Sequence, residues 1–113
     1  MHEYSIAYDI FATAKKAALE NNALTVQKIH VEIGELAMAS KDQIEFLFTV
    51  IAADDPLFTN SIIVCTEGKL QSVCRCGYEG NERFICPVCG ALPEIKKGRE
   101  ILVQNVEIEV EDK

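Results

Sequence analysis

Positive charge is what this chain has least of. Lysine and arginine number 11 against 18 aspartates and glutamates, a formal charge of −7. That excess of acid leaves no basic field to replace the counterions around a phosphate backbone, so nucleic acid is not an expected partner. Basic proteins and metal cations suit the chain better. Long apolar runs are missing as well: none approaches the ~18 residues of a membrane span. The opening Met1-His2-Glu3-Tyr4-Ser5 lacks the basic and apolar regions of a secretory signal. The expected compartment is therefore the cytoplasm. No nucleophile stands near a base, no glycine-rich loop is built for phosphate, and no paired carboxylates mark a pocket, so no enzyme is expected. Repeats, low-complexity tracts and long linkers are absent too. At 113 residues the chain makes one domain, or a small domain carrying an insert.

Cysteine is the exception to this evenness. Four of the five crowd into Cys74-Arg75-Cys76-Gly77 and Cys86-Pro87-Val88-Cys89-Gly90. In a reducing compartment thiols bind metal more readily than they form disulfides, and four thiolates complete the tetrahedral shell of a structural zinc. Glycine after the second cysteine of each pair reaches positive φ freely, so each loop can curl and turn its amides toward the sulfurs. Cys86 and Cys89 have the usual two-residue spacing, whereas Cys74 and Cys76 are one residue closer. Cys74, Cys76, Cys86 and Cys89 are the candidate zinc ligands. A tetrathiolate also holds iron, so a rubredoxin-like electron carrier and a zinc-ribbon protein adaptor are both compatible with these residues alone.

Around the cysteines the pattern is that of an ordinary α+β chain. Apolar residues Tyr4, Ala7, Tyr8, Phe11, Ala14 and Ala18, widened by Ile6 and Ile10, predict an amphipathic helix over residues 3–21. Residues 26–33 alternate, with Ile29, Val31 and Ile33 on one face and Lys28, His30 and Glu32 on the other, as in a half-buried strand. Ser40 and Gln43 form a capping box before Ile44, Leu47, Phe48 and Ile51, a second helix that Asp54-Asp55-Pro56 stops. Residues 61–69 are rich in β-branched side chains, and residues 100–110 alternate again. The expected fold is two helices packed on a three-stranded sheet, in the order α-β-α-β-[zinc insert]-β, with a small zinc-ribbon-like module inserted before the last strand. Residues 1–70 and the strand at 99–113 make the main domain, and residues 71–98 the inserted module. Cys65, within the second strand, reads as a small buried hydrophobe. His30 reads as a solvated surface histidine, and Gly34-Glu35 as a turn.

The first residues offer a second metal site. A free α-amine at Met1, the imidazole of His2 and amides of the opening turn can converge on one ion, and nitrogen donors in a plane select Ni(II) or Cu(II). Histidine is too bulky for the usual removal of the initiator, which keeps the Met1 amine one residue away. Glu3 complements the positive end of the helix and can contribute its amide or hold the ligands from behind.

Taken together, Met1-His2-Glu3-Tyr4-Ser5-Ile6-Ala7, then Gly34-Glu35-Leu36 after a strand, then the two cysteine pairs resemble the HypA family of hydrogenase nickel-insertion proteins over nearly the whole chain. The resemblance implies Ni(II) bound at His2 with Met1 and Glu3 beside it, and structural Zn(II) at the four cysteines. It also implies a HypB-type GTPase partner and delivery to the precursor of a hydrogenase large subunit, with urease served in some organisms. A metallochaperone is the resulting expectation. One departure stands out: the family's first pair is Cys-x-x-Cys, and here Val73 occupies the place of its first cysteine.

Overall fold

The first helix, α1 (Glu3–Glu20), buries Ile6, Ala7, Ile10, Ala14 and Ala18. This corrects the stripe expected from the sequence: Tyr4 and Tyr8, counted on the inner face, are each more than half exposed. Two stripes overlap on this helix, and the small and branched one is buried while the tyrosines stand beside it, largely exposed. Asn22, in the left-handed region at φ 56°, turns the chain out of α1. β1 (Ala23–Gly34) follows and buries Val26, Ile29, Val31 and Ile33. The parity of the pattern slips between Val26 and Ile29.

α2 (Lys41–Ala52) starts at Ser40, whose hydroxyl accepts the Gln43 amide at 3.3 Å. That bond satisfies one of the orphan donors of the first turn. Its apolar face buries Ile44, Phe48 and Ala52. Asp55, the residue before a proline, is extended as such residues are, and its carboxylate caps a short 3-10 turn, Pro56–Phe58, at the Leu57 amide. That turn delivers Phe58 to Phe11 and Phe48, with ring centroids 4.8 and 5.9 Å away. The three rings close one end of the core.

β2 (Ile62–Gly68), β1 and β6 (Ile101–Val110) form a three-stranded sheet in the order β2-β1-β6. Ser61 donates to the Val26 carbonyl and Thr66 to the Val31 carbonyl, each across 35 positions. A constant offset means that β1 and β2 run parallel, as a crossover through α2 requires. On the other side Gly34 lies against Glu100 and His30 against Glu107, so the index falls along β1 as it rises along β6. β6 is antiparallel and the sheet is mixed.

Three short strands, β3 (Gln71–Val73), β4 (Glu79–Gly80) and β5 (Glu94–Lys97), form a separate antiparallel sheet in the order β4-β3-β5. The structure, a computed structural model, describes residues 3–111. The chain falls into two units, one of Met1–Glu32, Ala39–Thr66 and Leu102–Lys113, the other of Ile33–Met38 and Glu67–Ile101. Among the described residues no helix is long and apolar enough to cross a membrane.

Candidate metal centre

The connections of the small sheet carry the cysteines, Cys74 and Cys76 between β3 and β4, and Cys86 and Cys89 between β4 and β5. β3 runs directly into Cys74, and the Cys74 amide bonds the Tyr78 carbonyl at 2.8 Å while the Gly77 amide bonds the Cys74 carbonyl at 2.8 Å. The second loop repeats the device one residue longer. The Cys86 amide bonds the Ala91 carbonyl at 2.8 Å, and the Gly90 amide returns to the Cys86 carbonyl at 2.9 Å. Gly77 and Gly90, at φ 97° and 78°, take the left-handed turn that the sequence assigned to them. The residue missing from the first pair thus shortens its loop by one position and leaves the closure intact.

Both loops aim their sulfurs inward. The Cys74 and Cys89 sulfurs are 3.3 Å apart, those of Cys76 and Cys86 3.7 Å, and all four lie within 4.8 Å of one another. Sulfurs placed tetrahedrally about 2.3 Å from one ion stand about 3.8 Å apart, so the donor set matches the size and chemistry of a structural zinc shell. Cys74 and Cys86 are buried and Cys76 and Cys89 exposed. Each loop therefore contributes one buried and one exposed cysteine.

The environments of the two buried thiols differ. Burial pushes Cys86 up, but the amides of Cys89 and Val88 and the thiols of Cys74 and Cys76 outweigh it and bring Cys86 down to about 7. The Val88 amide stands 3.4 Å from its sulfur. Cys74 receives the Cys76 amide, which pulls it down, but the thiol of Cys89, burial and the remaining thiols hold it up at about 12. A cluster with one thiolate already favoured is suited to take up a cation and shed its remaining protons.

Cys65 is not part of this cluster. It is buried in β2, and burial first, then the charge of Glu45, pushes its thiol up to about 11 against the opposing pull of Lys41. His30 is half-buried rather than solvated, its Nε2 2.5 Å from the Glu107 carboxylate on β6. That contact, more than the opposing effect of burial, holds the Glu107 carboxyl below the usual range, with Lys28 and the His30 charge helping. Glu3 occupies the first turn of α1. Met1 and His2 lie outside the described residues.

Two contacts of this unit were not readable from the sequence. Glu35, read as a surface turn residue, accepts the Leu70 amide on its carboxylate, while its own amide bonds the Gly68 carbonyl at 2.9 Å. Tyr78 donates to Glu82 at 3.0 Å between the two cysteine loops. Leu70 is 35 positions from Glu35, and although Glu82 is four from Tyr78, a lone glutamate carries no signal of where its acceptor will be used.

The family model described as "Hydrogenase/urease nickel incorporation, metallochaperone, hypA" matches residues 1–108. This chain belongs to the HypA family. The hydrogenase maturation factor HypA of Methanocella arvoryzae is 38% identical, over 97% of this chain and all of its own length. The HypA of Francisella philomiragia is 36% identical, over 94% and 97%. The solution structure of the Ni metallochaperone HypA from Helicobacter pylori shares the fold, with a TM-score of 0.77 and 22% identity over 98% of this chain and 100% of that one. The HypA family is one of metallochaperones and not of enzymes, and the α+β fold with a four-cysteine module belongs to it.

Proposed function

We propose that this chain binds Ni(II) at its N-terminus and delivers it, with a HypB-type GTPase, to the precursor of a [NiFe]-hydrogenase large subunit in the cytoplasm. The observation that carries the proposal is the match to the nickel-incorporation family from residue 1 onward, in a chain that opens Met1-His2-Glu3. Nickel is the cargo, so its site must bind selectively and still let go. His2 supplies an imidazole, Met1 its α-amine, and Glu3 its amide or a supporting carboxylate. Nitrogen donors in a plane favour nickel over the tetrahedral preference of zinc. The N-terminal end of α1 is the positive end of its dipole. A carboxylate in that first turn, at Glu3, offsets a field that otherwise repels a cation held at residues 1 and 2.

Cys74, Cys76, Cys86 and Cys89 would hold a structural zinc, which supplies folding energy to the segment around it. In this reading residues 71–98 are the zinc module, and residues 1–70 with the strand at 99–113 the nickel-binding part. The convergence of the sulfurs and the amide directed at Cys86 support the zinc assignment. A zinc-only protein adaptor and an iron electron carrier are the competing functions. Transfer decides among them: nickel-loaded chain, GTPase and GTP are mixed with hydrogenase precursor and nickel in the precursor is measured. Nickel appearing there only with the nickel-loaded chain supports delivery. A chain that binds the precursor and transfers nothing is an adaptor, and strong visible absorption of the purified chain marks iron.

A further inference from the structure

The three-stranded sheet has two outer strands, β2 and β6. β6 carries six uncharged residues, Ile101 to Val106, and then Glu107 and Glu109, of which Glu107 faces His30 on β1. β2 has no charge over five consecutive residues, Ile62-Ile63-Val64-Cys65-Thr66. Among the described residues no strand pairs with its outer side. Beside that edge runs a groove whose other wall is α2: Glu45, Phe46 and Thr49 line it together with Ser61, Ile62 and Ile63. Phe46 is 64% exposed and Ile62 57%. An open β-branched edge next to a shallow helix-walled groove of mixed polar and apolar lining is an arrangement by which sheets accept an added strand, the main chain giving affinity and alternate side chains giving selectivity.

The charge on the page says what kind of strand fits. Glu45 has no cation within ion-pair distance among the described residues, and its field reaches the strand, where it acts on the Cys65 thiol more strongly than the opposing charge of Lys41. Of the charged residues, 12 acidic and five basic ones fall in the unit that contains this groove and six of each in the other, so the whole −7 resides here. A second copy of the chain would bring the same excess to the contact and be repelled. We infer that the groove between α2 and β2 takes an extended segment of a basic partner protein, which adds to β2 as a fourth strand. Its apolar side chains lie on Phe46 and Ile62, and a lysine or arginine stands opposite Glu45. The inference is independent of both metal sites.

The test is a titration of isotope-labelled, zinc-loaded full chain with the peptide acetyl-Lys-Val-Lys-Val-Thr-Val-amide, followed by amide NMR and hydrogen exchange. The expected result is shifts at Phe46 and along residues 61–66, with slowed exchange of alternate β2 amides. N-methylating alternate peptide nitrogens removes main-chain donors and keeps the side chains, and weakens binding about a hundredfold. Glu45→Lys weakens it about tenfold, and a peptide with glutamate in place of lysine does not bind. Phe46→Ser, at an exposed position, also weakens binding without unfolding the chain. Absence of binding at millimolar peptide, equal binding of the N-methylated peptide, or shifts elsewhere overturn the inference. So does β2 protection that grows with protein concentration in the absence of peptide, which makes a second copy the occupant. Metal content of Glu45→Lys is unchanged in every case, so a failure here leaves the metallochaperone reading untouched.

Discussion

Gly34 and Gly98 meet backbone against backbone: a Cβ on Gly34 would stand 2.3 Å from the Gly98 carbonyl oxygen. The same approach is held by the Leu36 amide on the Gly98 carbonyl at 2.6 Å and the Gly34 amide on the Glu100 carbonyl at 2.9 Å. Gly98 in turn presses on the Leu70 Cα, which a Cβ at Gly98 would meet at 3.0 Å. Neither side can yield, since each obstacle is main chain. Gly34→Ala is therefore expected to destabilise the chain by about 1–3 kcal/mol. Gly77→Ala has free space around it and is left with only the cost of its positive φ, about 1 kcal/mol. Thermal melts of the two variants, both zinc-loaded, check the order.

Removing a sulfur should remove the zinc. Cys86→Ser or Cys89→Ser is expected to lose the metal and to raise hydrogen exchange across residues 71–97, while α1 and α2 keep their protection, because that segment depends on the metal for folding energy. Cys74→Ser is expected to lower zinc content, and Cys65→Ala to leave it unchanged. Elemental analysis with exchange mass spectrometry reads both effects. Stoichiometric zinc in both knuckle variants contradicts the ligand set.

The fifth thiol should behave apart from the other four. With its thiol pushed from 9.0 to about 11 by burial and Glu45, Cys65 has about a hundredfold less thiolate near neutral pH than an ordinary cysteine, and the thiolate is the reactive form. Chelator-treated chain is expected to yield four thiols to a disulfide reagent at once, and the fifth only on unfolding. Five fast thiols would place Cys65 at the surface.

The elements with a period of their own were legible in the sequence. Ile29, Val31 and Ile33 announce β1 by alternation, and Ser40 with Gln43 announces the start of α2 by capping chemistry. The β-branched run Ile62-Ile63-Val64 announces β2. β3, β4 and β5 span three, two and four residues, too few for any period to appear, and their pairing follows from where the cysteine loops bring them. Glu35 and Gly34 were hidden for a related reason. Their meaning lies in Leu70 and Gly98, distant in sequence, and no local pattern records a crossing of that kind. The four cysteines were visible because metal chemistry restricts residue type and spacing together, and Tyr78 and Glu82 were not because their contact needs only reach.

Acid should weaken the link between α1 and the turn after α2. The Lys15 ammonium, 2.7 Å from Asp55, holds its carboxyl below the usual range against the smaller effect of burial, with the Leu57 amide and the Lys15 charge assisting. A carboxylate with a lowered folded pKa contributes stability that is present above its unfolded value, about 3.9. That contribution is lost as pH falls through the lower folded value, because the unfolded chain binds the proton first. Asp55→Asn keeps an acceptor for the Leu57 amide and removes the charge. It is expected to cost about 0.5–1 kcal/mol at pH 7, a modest figure because Lys15 is partly exposed. Urea melts of both chains between pH 7 and pH 2 should converge at the acid end. A gap of constant size across that range rules out the ion pair as its source.

Nickel titration of the native N-terminus tests the central claim most directly. Calorimetry is run on three zinc-loaded proteins: the unmodified chain, His2→Ala, and a chain with an uncleaved N-terminal extension. The account predicts one nickel per unmodified chain, none in His2→Ala with its zinc intact, and weakened binding in the extended chain, where the Met1 amine has become an amide. Nickel binding of unchanged affinity in His2→Ala would contradict it and leave the adaptor.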